Sequence, residues 1–77
     1  MAETVTMDKL EKVVELLNRM TRHTQDYSLD VMTGQGIRLV SHKGSTDVSP
    51  RMKRTELYYW IHAFIDGVEI GQQLGRG

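Results

Sequence analysis

The stretch Arg54-Thr-Glu-Leu-Tyr-Tyr-Trp-Ile-His-Ala-Phe-Ile-Asp-Gly-Val68 decides the fold. Apolar side chains recur along it at helical spacing, which predicts an amphipathic helix whose inner face forms the centre of the core. The stretch also holds the only tryptophan and the only phenylalanine of the chain. Each such ring buries about 150–250 Å² in a core. The apolar positions are Leu57, Tyr58, Trp60, Ile61, Phe64, Ile65 and Val68.

Ser49-Pro50 precedes this helix and sets the earliest point at which it can begin, because proline disfavours a helical conformation in the residue before it. Upstream, residues 26–32 alternate apolar and polar side chains, and residues 37–41 resume the alternation after Gly34-Gln-Gly36. This pattern predicts a β-hairpin. A turn at residues 42–44 could return the chain as a short third strand over residues 45–48.

The amino-terminal segment predicts a second amphipathic helix, because apolar residues recur at helical spacing from Leu10 to Met20. Thr6 is suited to cap its first turn, and Glu15 can reach Arg19 one turn later. Two helices with one apolar stripe each and a sheet with one apolar face pack best with both helices on the same side. We therefore predict an α+β fold, α-β-β-(β)-α, with two helices on one face of a small antiparallel sheet.

The predicted protein is one domain spanning residues 1–77, with residues 1–5 and 75–77 flexible. Its sheet leaves an outer face on which Met32 and Val40 are apolar. The chain contains no cysteine, so no disulfide can reinforce so small a core. A homodimer would bury additional apolar surface, and we expect one. The whole predicted outer face comprises Ser28, Asp30, Met32, Arg38 and Val40.

Neither a membrane span nor a signal peptide is predicted, because no apolar run approaches about 18 residues and acids stand near the amino terminus. We expect a cytoplasmic protein. Catalysis is not expected either: the sequence has no nucleophile motif and no histidine spacing typical of metal sites. His62 and Asp66 are spaced to touch on one helix, and a solvated surface pair is the favoured interpretation. No cofactor and no metal are predicted.

A basic segment covers residues 31–54, which carry five bases and one acid although the whole chain has a net charge of zero. Arg51, Lys53 and Arg54 stand just before a predicted helix, where the helix dipole disfavours cations. This placement indicates a surface that faces an anion, either an acidic protein or nucleic-acid phosphate, although a solvated loop remains the commoner meaning of such a run. The predicted contact residues are Arg38, Arg51, Lys53, Arg54 and Tyr59.

Three stretches resemble small, mostly uncharacterised proteins encoded by phages and prophages: Gly36-Ile-Arg-Leu-Val40, Gly44-Ser-Thr-Asp-Val-Ser-Pro-Arg51 and Arg54 to Val68. The shared pattern is a strand ending in a Gly-Ser turn, a Ser-Pro-Arg break, and a helix reading L-Y-x-W/L-x-x-A-F-x-x-G. The resemblance covers roughly residues 27–71. It implies a bacterial host cytoplasm and a protein that binds a host or phage macromolecule. It implies no catalytic residue.

These observations favour a non-enzymatic accessory protein of phage type that acts by binding a host or phage macromolecule, with a protein as the expected partner. The alternative is a nucleic-acid-binding module that uses residues 38–54 of the basic segment. In that case the affinity must fall steeply with salt, because phosphate contacts release counterions.

Overall fold

The computed structural model describes residues 5–75. Within this range the chain forms two helices and a three-stranded antiparallel sheet, which confirms the predicted α+β fold. Of the ends expected to be flexible, residues 1–4 and 76–77 lie outside the described range. Val5 is instead buried, with 2% of its surface exposed, and Gly75 is the last residue of a helix. In chain order the elements are α1 (Met7–Met20), β1 (Ser28–Met32), β2 (Gly36–Ser41), β3 (Thr46–Asp47) and α2 (Arg54–Gly75).

Helix α1 follows its sequence pattern closely. The Thr6 hydroxyl accepts a hydrogen bond from the backbone amide of Lys9 at 3.2 Å, so the predicted cap is confirmed. The expected ion pair between Glu15 and Arg19 forms at 3.1 Å on the exposed side. The inner side of α1 buries Leu10, Val13, Val14 and Leu17.

The connection from α1 to β1 is fixed by the side chain of Asn18, a role that the helical pattern of the sequence does not predict. Its amide nitrogen donates to the Tyr27 carbonyl at 2.9 Å, and its amide oxygen accepts from the Tyr27 backbone amide at 2.8 Å. In the loop between Asn18 and Tyr27, Arg22 and His23 both adopt positive φ angles, 55° and 59°, which residues with a side chain rarely adopt. The Asn18 clamp therefore holds the start of the sheet against the end of α1.

Strands β1 and β2 form the predicted hairpin. Leu29 faces Leu39 and Val31 faces Ile37 in the pairing register, so these residues share the inner face of the sheet. Gly34 and Gly36 take positive φ angles of 79° and 101° at the turn. Glycine adopts such angles without steric cost, which explains the Gly-Gln-Gly sequence.

Strand β2 lies in the middle of the sheet. Strand β3 pairs with its second edge, and beyond β3 the backbone groups of Ile37 and Met52 exchange two hydrogen bonds of 2.9 Å. Val40, which we predicted to be an exposed residue of the outer face, is only 3% exposed. Because a central strand has neighbours on both edges, its side chains are more enclosed on both faces than those of an edge strand.

Between β3 and α2, the buried side chain of Ser49 secures the connecting segment to β2. Its hydroxyl oxygen accepts from the Leu39 backbone amide at 2.9 Å, and its hydroxyl donates to the Pro50 carbonyl at 3.0 Å. From its place before Pro50, Ser49 is predicted only to be part of a chain break. In the fold it supplies a partner for a buried amide that would otherwise be costly to leave unpaired.

Helix α2 lies across the core as predicted, but its most buried residues are aliphatic. Leu57, Ile61 and Ile65 are buried, whereas Trp60 and Phe64 are half-buried and pack at the margin of the core. These two rings stack on each other with centroids 5.4 Å apart. Tryptophan is often largely, but seldom completely, enclosed, because few small cores can surround so large a ring.

Candidate binding surfaces

The outer face of the sheet carries a chain of ion pairs, the outer-face ion network, formed by Asp30, Arg38, Asp47 and Arg51. Asp30 and Arg38 are partners in the strand register. One carboxylate oxygen of Asp30, Oδ2, accepts from Arg38 Nε at 2.9 Å and from Arg51 Nη2 at 2.7 Å. Arg38 also reaches Asp47 on β3 at 3.1 Å. The network thus joins all three strands to the segment that precedes α2.

Arg51 is the most enclosed member of the network, with 21% of its side chain exposed. Its guanidinium also lies within hydrogen-bonding distance of the carbonyl oxygens of Asp30 and Gly36, at 3.3 and 3.4 Å. Two of the predicted contact residues, Arg38 and Arg51, are therefore engaged within the protein. A partner that bound them would have to share them with Asp30.

Two opposing effects act on the carboxyl group of Asp30. Partial desolvation at the sheet surface raises its pKa, but hydrogen bonds and positive charge from Arg51, and then from Arg38, outweigh this effect. The pKa of Asp30 is therefore lower in the folded protein than its ordinary value. The carboxylate form is stabilised by folding, and protonation must weaken the network.

The sign of this shift predicts an acid dependence of stability. A depressed carboxyl pKa stabilises the fold above the ordinary aspartate value of about 4, and this stabilisation is lost as the pH falls through the folded pKa. We expect Asp30→Asn to make the decline in unfolding free energy shallower between about pH 5 and pH 2. Urea unfolding at a series of pH values measures this. The control is Asp66→Asn, whose carboxylate makes no ion pair within residues 5–75. Equal slopes for both variants would contradict the role of the network.

The remaining predicted contact residues, Lys53, Arg54 and Tyr59, are all exposed, and they lie in the first two turns of α2 or in the residue before it. Tyr59 exposes 58% of its surface. The Lys53 backbone amide donates to Glu56 Oε1 at 3.2 Å, so an acid in the first turn meets the preference of the helix dipole. In the part of the chain that the structure describes, neither the Lys53 nor the Arg54 side chain is held by an ion pair.

His62 and Asp66, spaced to form a pair, do not form one: no His62–Asp66 contact occurs among the ion pairs of residues 5–75. The His62 ring instead packs edge-on against Tyr58, with ring centroids 4.6 Å apart. Tyr58 also contacts Tyr59 edge-on at 5.5 Å, and the Lys9 ammonium lies 5.7 Å from the Tyr58 ring centre. These rings make a continuous aromatic surface at the start of α2.

A depression of about 750 Å³ lies between the end of α1, the following loop and the far end of α2. Gln72 closes one side by donating to the Met20 carbonyl at 3.1 Å. Its ionisable lining residues are Arg22 and Tyr27, and burial raises the pKa of the Tyr27 phenol. The depression is lined by Met20, Thr21, Arg22, Thr24, Gln25, Tyr27 and Gln72.

Residues 5–75 contain no group of three or more His, Cys, Asp or Glu side chains placed to hold a metal ion. Neither of the two helices in residues 5–75 is both long enough and apolar enough to cross a bilayer.

Comparison of the chain with protein-family models, with curated proteins and with solved structures gives no match. The predicted likeness to phage-encoded proteins therefore stays a prediction.

Proposed function

We propose that this chain is a non-enzymatic binding protein of phage type that docks onto a host or phage macromolecule through the beginning of α2. One observation carries the proposal: Lys53, Arg54 and Tyr59 are all exposed on or beside the first turns of a helix that the core holds in place. We place this activity in the cytoplasm of a bacterial host.

The chemistry of these three residues fits an acidic protein surface. Two cations that form no ion pair with the acids of residues 5–75 can steer an acidic partner and select its orientation. A tyrosine that exposes 58% of its surface can add a rigid anchor, since aromatic residues are frequent among those that dominate binding energy. Because α2 is anchored by Leu57 and Ile61, little order has to be gained on binding.

The test is retention of a partner from a bacterial lysate by the tagged full chain and by two variants of equal charge change. Lys53→Ala/Arg54→Ala is expected to reduce retention at least tenfold. The control Lys12→Ala/Arg19→Ala removes two exposed cations from α1 whose ion pairs are worth only a few tenths of a kcal/mol each. If no partner is retained, or if both variants lose it equally, the proposal is wrong.

Nucleic-acid binding is the second candidate, favoured because Tyr59 is exposed within the first two turns of α2, at the end of the helix that carries the two exposed cations. Aromatic side chains stack on bases, and cations contact phosphates. Fluorescence anisotropy with a labelled single strand and a labelled duplex tests it at low and high salt. Two phosphate contacts on a duplex predict that the logarithm of affinity falls with the logarithm of salt with a slope of about −1.8. No binding at low salt would exclude this candidate.

A homodimer remains a separate proposal. Of the two apolar residues that motivated it, Val40 is buried and only Met32 is exposed on the outer face of the sheet. Light scattering on the concentrated protein measures it directly, and the monomer mass of 8.8 kDa would contradict it.

A further inference from the structure

The second half of α2 extends beyond the core with an apolar side open to solvent. Residues 69–74 are all exposed, and Ile70 and Leu74 expose 57% and 75% of their surfaces. Ala63, Gly67, Ile70 and Leu74 recur at helical spacing, so they line one side of the helix, turned away from the buried Ile61 and Ile65. We call these four residues the distal α2 face.

Gly67 stands in the middle of the distal α2 face, where the described residues leave room for a side chain. A side-chain carbon built at this position would meet no atom within 4 Å. Glycine weakens a helix interior relative to alanine, so the residue costs stability without a contact in the described chain that would explain it. Beside large apolar neighbours, a missing side chain allows the backbone of another helix to approach closely.

Asp66 borders this face, because it lies one helical turn from both Ala63 and Ile70, and Glu69 lies one turn beyond Asp66. Asp66 and Glu69 are exposed and make no ion pair in residues 5–75. From residue 55 to residue 75 the chain has no lysine or arginine. On α1, by contrast, Asp8 is paired with Lys12, one turn away. In the part of the chain that the structure describes, the far end of α2 is therefore an apolar stripe beside negative charge that no ion pair compensates.

We propose that the distal α2 face docks an amphipathic helix of a partner protein that carries leucine or isoleucine along one stripe and lysine or arginine beside it. Charge complementarity selects this partner. A second copy pairing through the same face would bring further Asp66 and Glu69 carboxylates towards these, and like charges oppose association. A helix laid against a helix meets the spacing of Ile70 and Leu74, which lie one turn apart. This surface is distinct from Lys53 and Arg54 and has the opposite charge.

The experiment uses the full chain and two synthetic helical peptides with identical leucine positions, one with lysine and one with glutamate at the polar positions. Fluorescence anisotropy is expected to show saturable binding of the lysine peptide, at least tenfold tighter than binding of the glutamate peptide. Ile70→Ser/Leu74→Ser is expected to weaken it at least tenfold. Leu16→Ser, which alters an exposed leucine on α1, should leave it unchanged. Circular dichroism verifies that each variant is folded.

Three further variants separate the contributions. Asp66→Asn/Glu69→Gln should weaken binding of the lysine peptide severalfold, whereas Lys53→Ala/Arg54→Ala should leave that binding unchanged. Failure of this proposal is therefore distinguishable from failure of the proposed function. Gly67→Ala should weaken binding, because it places a side-chain carbon in the middle of the distal α2 face.

Three results would overturn the proposal: equal affinity for both peptides, binding that is indifferent to Ile70→Ser/Leu74→Ser, or a dimer of the protein alone that this double variant abolishes. The last would identify a second copy as the occupant.

Discussion

Ile61→Ala is expected to lower the free energy of unfolding by about 2–5 kcal/mol, the range for truncating a buried isoleucine that leaves a cavity. Ile61 has no exposed surface and belongs to the cluster that joins α1, β2 and α2. Since whole domains are stable by only about 5–15 kcal/mol, the variant should lose a large share of its stability. The midpoint of urea unfolding measures the loss.

The matched control is Ile70→Ala, which makes the same chemical change on the same helix. Ile70 is 57% exposed and lies outside the core cluster, so we expect a change within about 0.5 kcal/mol. Losses of similar size at the two positions would mean that Ile70 is buried in solution, or that Ile61 is not.

Gly36→Ala is expected to destabilise the protein by about 2–5 kcal/mol, the sum of backbone strain and a steric clash. Gly36 has a φ angle of 101°, a conformation that alanine rarely adopts. A side-chain carbon there would lie 2.9 Å from the carbonyl oxygen of Met52, which accepts a hydrogen bond from Ile37. Relief of this clash would displace the segment around Met52 that leads into α2.

Gly34→Ala separates the two causes. Gly34 has a positive φ angle of 79°, but a side-chain carbon there would meet nothing within 4 Å. Gly34→Ala should therefore lower the free energy of unfolding only by the cost of the backbone conformation, about 1–2 kcal/mol. Chemical denaturation of both variants gives the comparison. Equal losses would show that the close approach of Met52 to Gly36 contributes nothing.

Periodicity was sufficient to predict the elements of this fold, because helices and strands repeat their buried positions at different intervals. It could not predict the burial of Val40. Alternation assigns Val40 to the outer face, but it does not reveal that β2 is the central strand. Periodicity also marked Trp60 as apolar without showing that a core of this size leaves the ring half-buried.

The candidate binding surface was only partly predictable for a similar reason. The run Arg51, Lys53 and Arg54 reads as one basic segment, yet Arg51 is bound to Asp30, 21 residues earlier in the chain. Pairing between distant charges depends on the register of the strands and on where the chain crosses them. Sequence spacing therefore located the exposed cations but could not separate them from the cation that is held by the sheet.

The first part of α2 is fixed in the core, and its last turns are open to a partner. Backbone amide hydrogen exchange along α2, measured by NMR on the free protein, tests this most directly. Residues 61–68 should exchange only on global unfolding, and residues 70–74 should exchange at least about a hundredfold faster by local opening. Uniform protection from residue 61 to residue 74 would contradict it, because the far end of the helix would then already be covered.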